Sequence, residues 1–94
     1  MSKLKKTSAQ ELKETIPQMV SDDYRDRFIA EYKQTKIRYE RLKAFTTRIE
    51  AAQVCNTEEP EHDCPFYLLR DQQRIMGEYL HLLEMRAVIE GIDL

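Results

Sequence analysis

The chain of 94 residues is long enough for one small domain with a modest hydrophobic core. With 34% charged residues, two glycines, three prolines and no tryptophan, its composition is typical of an all-α protein rather than of a β-sheet protein or a disordered chain. The net charge of −2 hides an asymmetry: residues 1–49 hold 12 Lys/Arg against 7 Asp/Glu, and residues 50–94 hold 3 against 10. The two halves would therefore attract each other if the chain folds back on itself.

The first predicted element is a short helix over about residues 9–15. The tetrapeptide "SAQE", from Ser8 to Glu11, has the spacing of a capping box, in which the Ser8 hydroxyl accepts from a backbone amide and Glu11 reaches back. Pro17 should end this helix because proline disrupts a helix interior.

A long helix is predicted over about residues 22–53, with Ser21 as its N-cap and two acidic residues in its first turn. No glycine or proline interrupts residues 18–59. Apolar and aromatic residues alternate at spacings of four and three when two threonines are included, which predicts a seam packed lengthwise on another helix, as in a coiled coil. The seam residues are Phe28, Tyr32, Thr35, Tyr39, Leu42, Thr46 and Ile49.

The next segment, residues 54–64, is predicted to be a loop between two helices. Cys55, His62 and Cys64 supply three zinc ligands, whereas a closed structural zinc site needs four, so we expect no metal or other cofactor and regard a site at these three residues as a minor alternative. A disulfide between the two cysteines is a second alternative. It is also minor, because we expect a cytoplasmic protein, in which thiols are kept reduced. The sequence has no apolar run of about 20 residues and no signal peptide, so we expect no membrane association.

A second long helix is predicted over about residues 65–90, with Cys64 as N-cap, Pro65 as first helical residue and Gly91 at the end. It presents two neighbouring apolar faces, too broad for one partner helix. One face contains Leu69, Met76, Leu80, Leu83 and Ala87, and the other contains Leu68, Ile75, Tyr79, Leu82 and Ile89. We therefore predict a long antiparallel helical hairpin whose second face is covered by the N-terminal helix and by another subunit, so that the chain forms a homo-oligomeric bundle.

Residues 33–48, "KQTKIRYERLKAFTTR", hold six basic residues against one glutamate, beside two tyrosines. Basic groups next to aromatic rings can bind phosphates and stack bases. We consider a small nucleotide held between subunits, with Lys36, Arg41 or Lys43 on its phosphates and Tyr32 or Tyr39 on its base. Nucleic-acid binding and a merely solvated face remain alternatives, because the basic residues taken together spread around the helix.

Residues 22–94 resemble a family of small helical proteins encoded by tailed phages, including crAss-like phages. The resemblance lies in the "RYERLKAF" segment, the Cys64-Pro65 entry followed by two leucines, and the ending "RAVIEGIDL". It implies a phage origin, a helical hairpin, a location in the bacterial host cytoplasm and no catalytic residues.

For function, no nucleophile–base pair, Gly-rich phosphate loop or paired-carboxylate motif indicates an enzyme. We expect a non-enzymatic phage accessory protein that binds a host or phage protein and inhibits an anti-phage defence system. One alternative is an oligomeric sponge that sequesters a nucleotide immune signal. Another is a helper in phage structure or assembly.

Overall fold

The computed structural model describes residues 6–94, and the regular structure in that part of the chain is entirely helical. The helices are α1 (Ser8–Glu14), α2 (Ile16–Met19), α3 (Tyr24–Cys55) and α4 (Phe66–Glu90). Helices α3 and α4 pack against each other as an antiparallel hairpin, so the predicted all-α hairpin is confirmed. No helix of residues 6–94 combines the length and the apolar character that crossing a membrane requires.

The capping box of α1 lies one residue earlier than the sequence suggested. Thr7 Oγ1 accepts from the Gln10 amide at 3.1 Å, and Gln10 Oε1 accepts from the Thr7 amide at 2.7 Å. Thr-x-x-Gln meets the same geometric requirement as Ser-x-x-Glu, so the two overlapping patterns compete. The chain also turns directly into α2, because Pro17 falls in the first turn of a new helix, where a proline is tolerated.

Two further caps differ from the prediction by one or two residues. Asp23, rather than Ser21, caps α3 by accepting from the Arg25 amide at 2.9 Å. The Ser21 hydroxyl instead accepts from the Asp23 amide and donates to Asp26. At α4 the helix begins at Phe66, which places Pro65 at the N-cap position and Cys64 in the loop.

Both long helices end on a residue with positive φ. Asn56 follows α3 with φ of 54° and Gly91 follows α4 with φ of 70°. Asparagine and glycine are the residues that adopt this left-handed conformation at low cost, and it reverses the chain at a helix end. Residues 56–65 then form the connection between the two long helices.

The predicted seam of α3 forms the core of the hairpin. Phe28 and Tyr32 of α3 are buried in one cluster with Leu80 and Leu83 of α4, and Ile49 is buried farther along α3. Apolar burial of this kind is the main source of stability for a hairpin of two long helices.

A polar pair lies within this apolar seam. Thr46 is fully buried, and its hydroxyl donates to the side chain of Gln73 on α4 and to the carbonyl of Lys43. The bonded threonine therefore occupies the seam position that its 4/3 spacing predicted.

Helices α1 and α2 pack on α3 and, within residues 6–94, make no contact with α4. Ala30 of α3 is buried, and one turn later the Gln34 amide donates to Thr15 Oγ1 at 2.8 Å. The expectation that the N-terminal helix covers the second face of α4 is therefore wrong, because that helix lies on the opposite partner. The second face remains exposed in the single chain.

Candidate functional site

Three arginines and one phenylalanine form a stripe along the second half of α3. Arg38, Arg41, Phe45 and Arg48 are spaced by three, four and three residues, so they share one face of the helix. Together with Leu42 and Ala44 they line an open groove of about 500 Å³, which we call the arginine groove.

The three guanidinium groups of this groove are electrostatically available. None of them forms an ion pair with a carboxylate in residues 6–94. The arginines of α4 behave differently: Arg74 pairs with Glu78 at 2.9 Å, and Arg86 pairs with Glu90 at 3.0 Å. The arginine groove is therefore a concentration of positive charge that no carboxylate of residues 6–94 neutralises in an ion pair.

The loop after α3 brings one side chain against Phe45, which lines the groove. The His62 ring meets the ring of Phe45 edge-on, with centroids 6.3 Å apart. Its Nδ1 lies 2.7 Å from the Cys64 carbonyl and its Nε2 lies 3.2 Å from the Glu59 carboxylate. The carbonyl first, and the carboxylate second, raise the pKa of His62 above its usual value because both favour a protonated ring.

The dimensions of the groove suit a ligand larger than a single phosphate. At about 1.5 Å per residue, Arg38 and Arg48 are separated by about 15 Å along the helix axis. Phe45 lies between them, half-buried, with Leu42 beside it. This is a flat apolar platform flanked by cations, an arrangement that matches a base or ribose between two phosphates.

Of the predicted ligand-binding residues, Tyr32, Lys36 and Tyr39 lie elsewhere. They line a smaller groove of about 240 Å³ between α3 and α4, which also contains Glu40 and Glu84. The two carboxylates oppose the binding of an anion there.

Tyr32, which lines this smaller groove, already forms a hydrogen bond across the hairpin. The Tyr32 hydroxyl donates to Glu84 at 2.7 Å, and this bond, together with burial, raises the pKa of Tyr32 to about 12. The Lys36 ammonium lies 5.9 Å from the centre of the Tyr32 ring. The Tyr32 bond to Glu84 joins α3 to α4, and ligand binding at this smaller groove stays a prediction.

The other two predicted ligand-binding residues do not lie in one groove either. Arg41 belongs to the arginine groove, while Lys43 lies outside both grooves. Arg38, Phe45 and Arg48 were not among the predicted site residues. The 3-4-3 spacing of these four residues in the sequence is the signal that distinguishes the stripe from the other basic residues of the segment.

The two cysteines lie at different places: Cys55 is the last residue of α3 and Cys64 lies in the loop. Both are exposed free thiols. Both ring nitrogens of His62 already face oxygen atoms, and residues 6–94 contain no group of three His, Cys, Asp or Glu side chains placed to hold a metal ion. The contribution of this loop is the His62 ring beside Phe45.

Comparison with known proteins gives one family. The family model described as Sequestin matches residues 22–89, which is more than two thirds of the chain and includes α3, the arginine groove and nearly all of α4. No curated protein and no solved structure matches the chain. The chain therefore belongs to the Sequestin family.

Proposed function

We propose that this protein sequesters a small nucleotide-type anion, which it binds in the arginine groove and holds without cleaving. The family description, Sequestin, suggests a sequestering role and favours this function over binding of a host protein. The observation that carries the proposal is the stripe of three unpaired arginines around Phe45.

Each part of the groove has a chemical role in this proposal. A guanidinium group donates two parallel hydrogen bonds to phosphate oxygens and keeps its charge at any physiological pH. Arg38 and Arg41, one turn apart, bind one phosphate, and Arg48 binds a second. The Phe45 ring stacks on the base between them, a contact worth roughly 1–3 kcal/mol in other single-strand sites.

The residue types that line the groove favour retention of the ligand over its cleavage. Its six lining residues, Arg38, Arg41, Leu42, Ala44, Phe45 and Arg48, include no nucleophile and no general base. Arginine is already protonated at neutral pH and has no acceptor atom, so it cannot take a proton from water. We therefore propose a stoichiometric binder rather than an enzyme.

The resemblance to phage proteins suggests where such a binder would act. A phage protein that captures a nucleotide signal in the host cytoplasm would silence a defence system that depends on the signal. Binding of a host protein is the second candidate, and the exposed apolar face of α4 is the observation in its favour.

A thermal-shift screen tests the proposed function. The purified protein is heated with mononucleotides, cyclic dinucleotides and cyclic trinucleotides, each in turn. A ligand at 100 times its Kd stabilises the folded state by about 2.7 kcal/mol, which for a chain of this size raises Tm by roughly 10 °C or more. The absence of a shift with every nucleotide would contradict the proposal.

Two charge reversals locate the site. We expect Arg41→Glu combined with Arg48→Glu to abolish the shift, because the change replaces two phosphate ligands with like charges. The matched control is Lys43→Glu, on the same helix but outside the groove. Lys36→Glu tests the smaller groove. If Lys36→Glu abolishes the shift and the double variant does not, the ligand lies between α3 and α4 instead.

A further inference from the structure

His62 is the residue of the connecting loop that packs against the arginine groove. Apart from Pro60, it is the only one of residues 56–65 that is not largely exposed, and its side chain is 19% exposed. Its ring stands at 84° to the ring of Phe45, which is a favoured arrangement of two aromatic rings. A loop residue therefore contacts the aromatic ring that lies between the arginines of the groove.

Both ring nitrogens of His62 face oxygen atoms that can only accept hydrogen bonds. One oxygen is the backbone carbonyl of Cys64 and the other belongs to the carboxylate of Glu59. A neutral imidazole has a single N–H, so it can donate to only one of these two oxygens. The protonated ring donates to both. We call these three groups, the His62 ring, the Glu59 carboxylate and the Cys64 carbonyl, the histidine clamp.

We propose that His62 is a positioning residue of the arginine groove, and that its protonated ring holds Phe45 in the orientation that stacks on a ligand. When the ring loses a proton, one of its two bonds is lost and the loop no longer fixes Phe45. The arginine groove is then regulated by pH. The effect on ligand binding rests on the proposed function, whereas the clamp itself does not.

Charged groups of both signs lie around the clamp. The loop contributes the carboxylates of Glu59 and Asp63, which favour the protonated ring. Helix α3 contributes Arg41 and Arg48, one turn to either side of the uncharged Phe45, and their charge opposes protonation. The backbone carbonyl of the clamp has the largest effect and the Glu59 carboxylate the next, so the pKa of the histidine lies above its usual value.

The direction of this pKa shift fixes how the clamp responds to pH. Because the pKa of His62 is higher in the folded chain than in the unfolded chain, the clamp stabilises fully below the unfolded pKa. That stabilisation is lost as the pH rises through the folded pKa. Ligand affinity should fall over the same range, which lies close to physiological pH for a histidine.

Nuclear magnetic resonance of the histidine rings tests the clamp without a ligand. The chain has two histidines, so His81→Gln leaves His62 as the only imidazole that titrates. We expect a higher titration midpoint for His62 in the folded protein than in the protein unfolded in urea. Glu59→Gln should lower that midpoint, because the amide oxygen still accepts a hydrogen bond but carries no charge. Equal midpoints in the folded and unfolded protein would overturn the proposal, and so would Phe45 resonances that stay constant while His62 titrates.

Ligand affinity measured against pH tests the effect on the groove. The probe is the cyclic dinucleotide or trinucleotide that raises Tm most, because its phosphodiesters keep a constant charge over this range. We expect the wild-type Kd to rise about 5-fold or more as His62 loses its proton, since Phe45 then stacks less well. His62→Gln should have the weaker Kd at every pH. The matched control is His81→Gln, at a 70% exposed side chain of α4 outside the arginine groove, and it should follow the wild type.

The outcomes separate this proposal from the proposed function. A wild-type Kd that does not change with pH would overturn the positioning role, and so would a His62→Gln variant that keeps the wild-type pH dependence. Either result would leave nucleotide binding standing. If no nucleotide binds at any pH, the proposed function fails, and the ligand-free titration of His62 and Phe45 decides the clamp alone.

Discussion

Helix α4 has two neighbouring apolar faces: an inner face that packs on α3, and an outer face that no helix of residues 6–94 covers. Leu80 and Leu83 on the inner face are 6% and 2% exposed, whereas Ile75 and Leu82 on the outer face are both 56% exposed. The residue types and the spacing are nearly the same. The spacing of apolar residues therefore shows that a helix face is suited to packing. It does not show which element packs on that face.

The largest expected difference in stability is between variants at two adjacent residues, one on each face of α4. Leu83→Ala should lower the free energy of unfolding by about 2–5 kcal/mol, because it leaves a cavity in the seam. Leu82→Ala should cost well under about 1 kcal/mol, because Leu82 is 56% exposed and its truncation leaves no buried cavity. Urea denaturation of the two variants measures both losses. Equal losses would erase the distinction between the faces.

A second pair of variants makes the same comparison on α3. Thr46→Val keeps the shape of a buried side chain but removes its bond to Gln73, so it should cost about 1–3 kcal/mol. The control is Thr47→Val, since Thr47 is exposed and its hydroxyl bonds only to a carbonyl of its own helix. We expect a change of about 0.5 kcal/mol or less there. Denaturant midpoints of the two variants provide the test, and a larger loss for Thr47→Val would contradict the assigned seam.

The smallest effect concerns two tyrosines that bond across the hairpin. Tyr32→Phe removes the inner bond to Glu84 and should cost about 1 kcal/mol, whereas Tyr79→Phe removes an exposed bond to Glu31 and should cost less.

The inner bond also gives the stability a predictable dependence on pH. The pKa of Tyr32 is raised to about 12, so the stabilisation is complete below the unfolded value near 10 and is lost as the pH rises toward 12. Tyrosinate absorbance and melting followed across that range should show this loss in the wild type. The Tyr32→Phe variant should lack this loss of stability. The same pH dependence in that variant would contradict the assignment of the loss to Tyr32.

Sequence patterns predicted the hairpin better than they predicted the site. The 4/3 spacing from Phe28 to Ile49 identified the seam because burial is enforced over the whole length of a helix. The caps were displaced by a residue or two because neighbouring polar residues, such as Ser8 and Thr7, satisfy the same local geometry. The site was harder because Lys36 and Arg48 look alike in sequence, and only the packing of α4 shows which cations lie near carboxylates.

The most direct test of sequestration is recovery of the ligand. The wild-type protein is equilibrated with a nucleotide that raises its Tm, freed of unbound ligand by rapid gel filtration, and denatured, and the released nucleotide is quantified by mass spectrometry. We predict intact nucleotide in stoichiometric amount from the wild type and from Lys43→Glu, and almost none from Arg41→Glu/Arg48→Glu. Release of a cleaved product, or equal recovery from the double arginine variant, would contradict retention in the arginine groove.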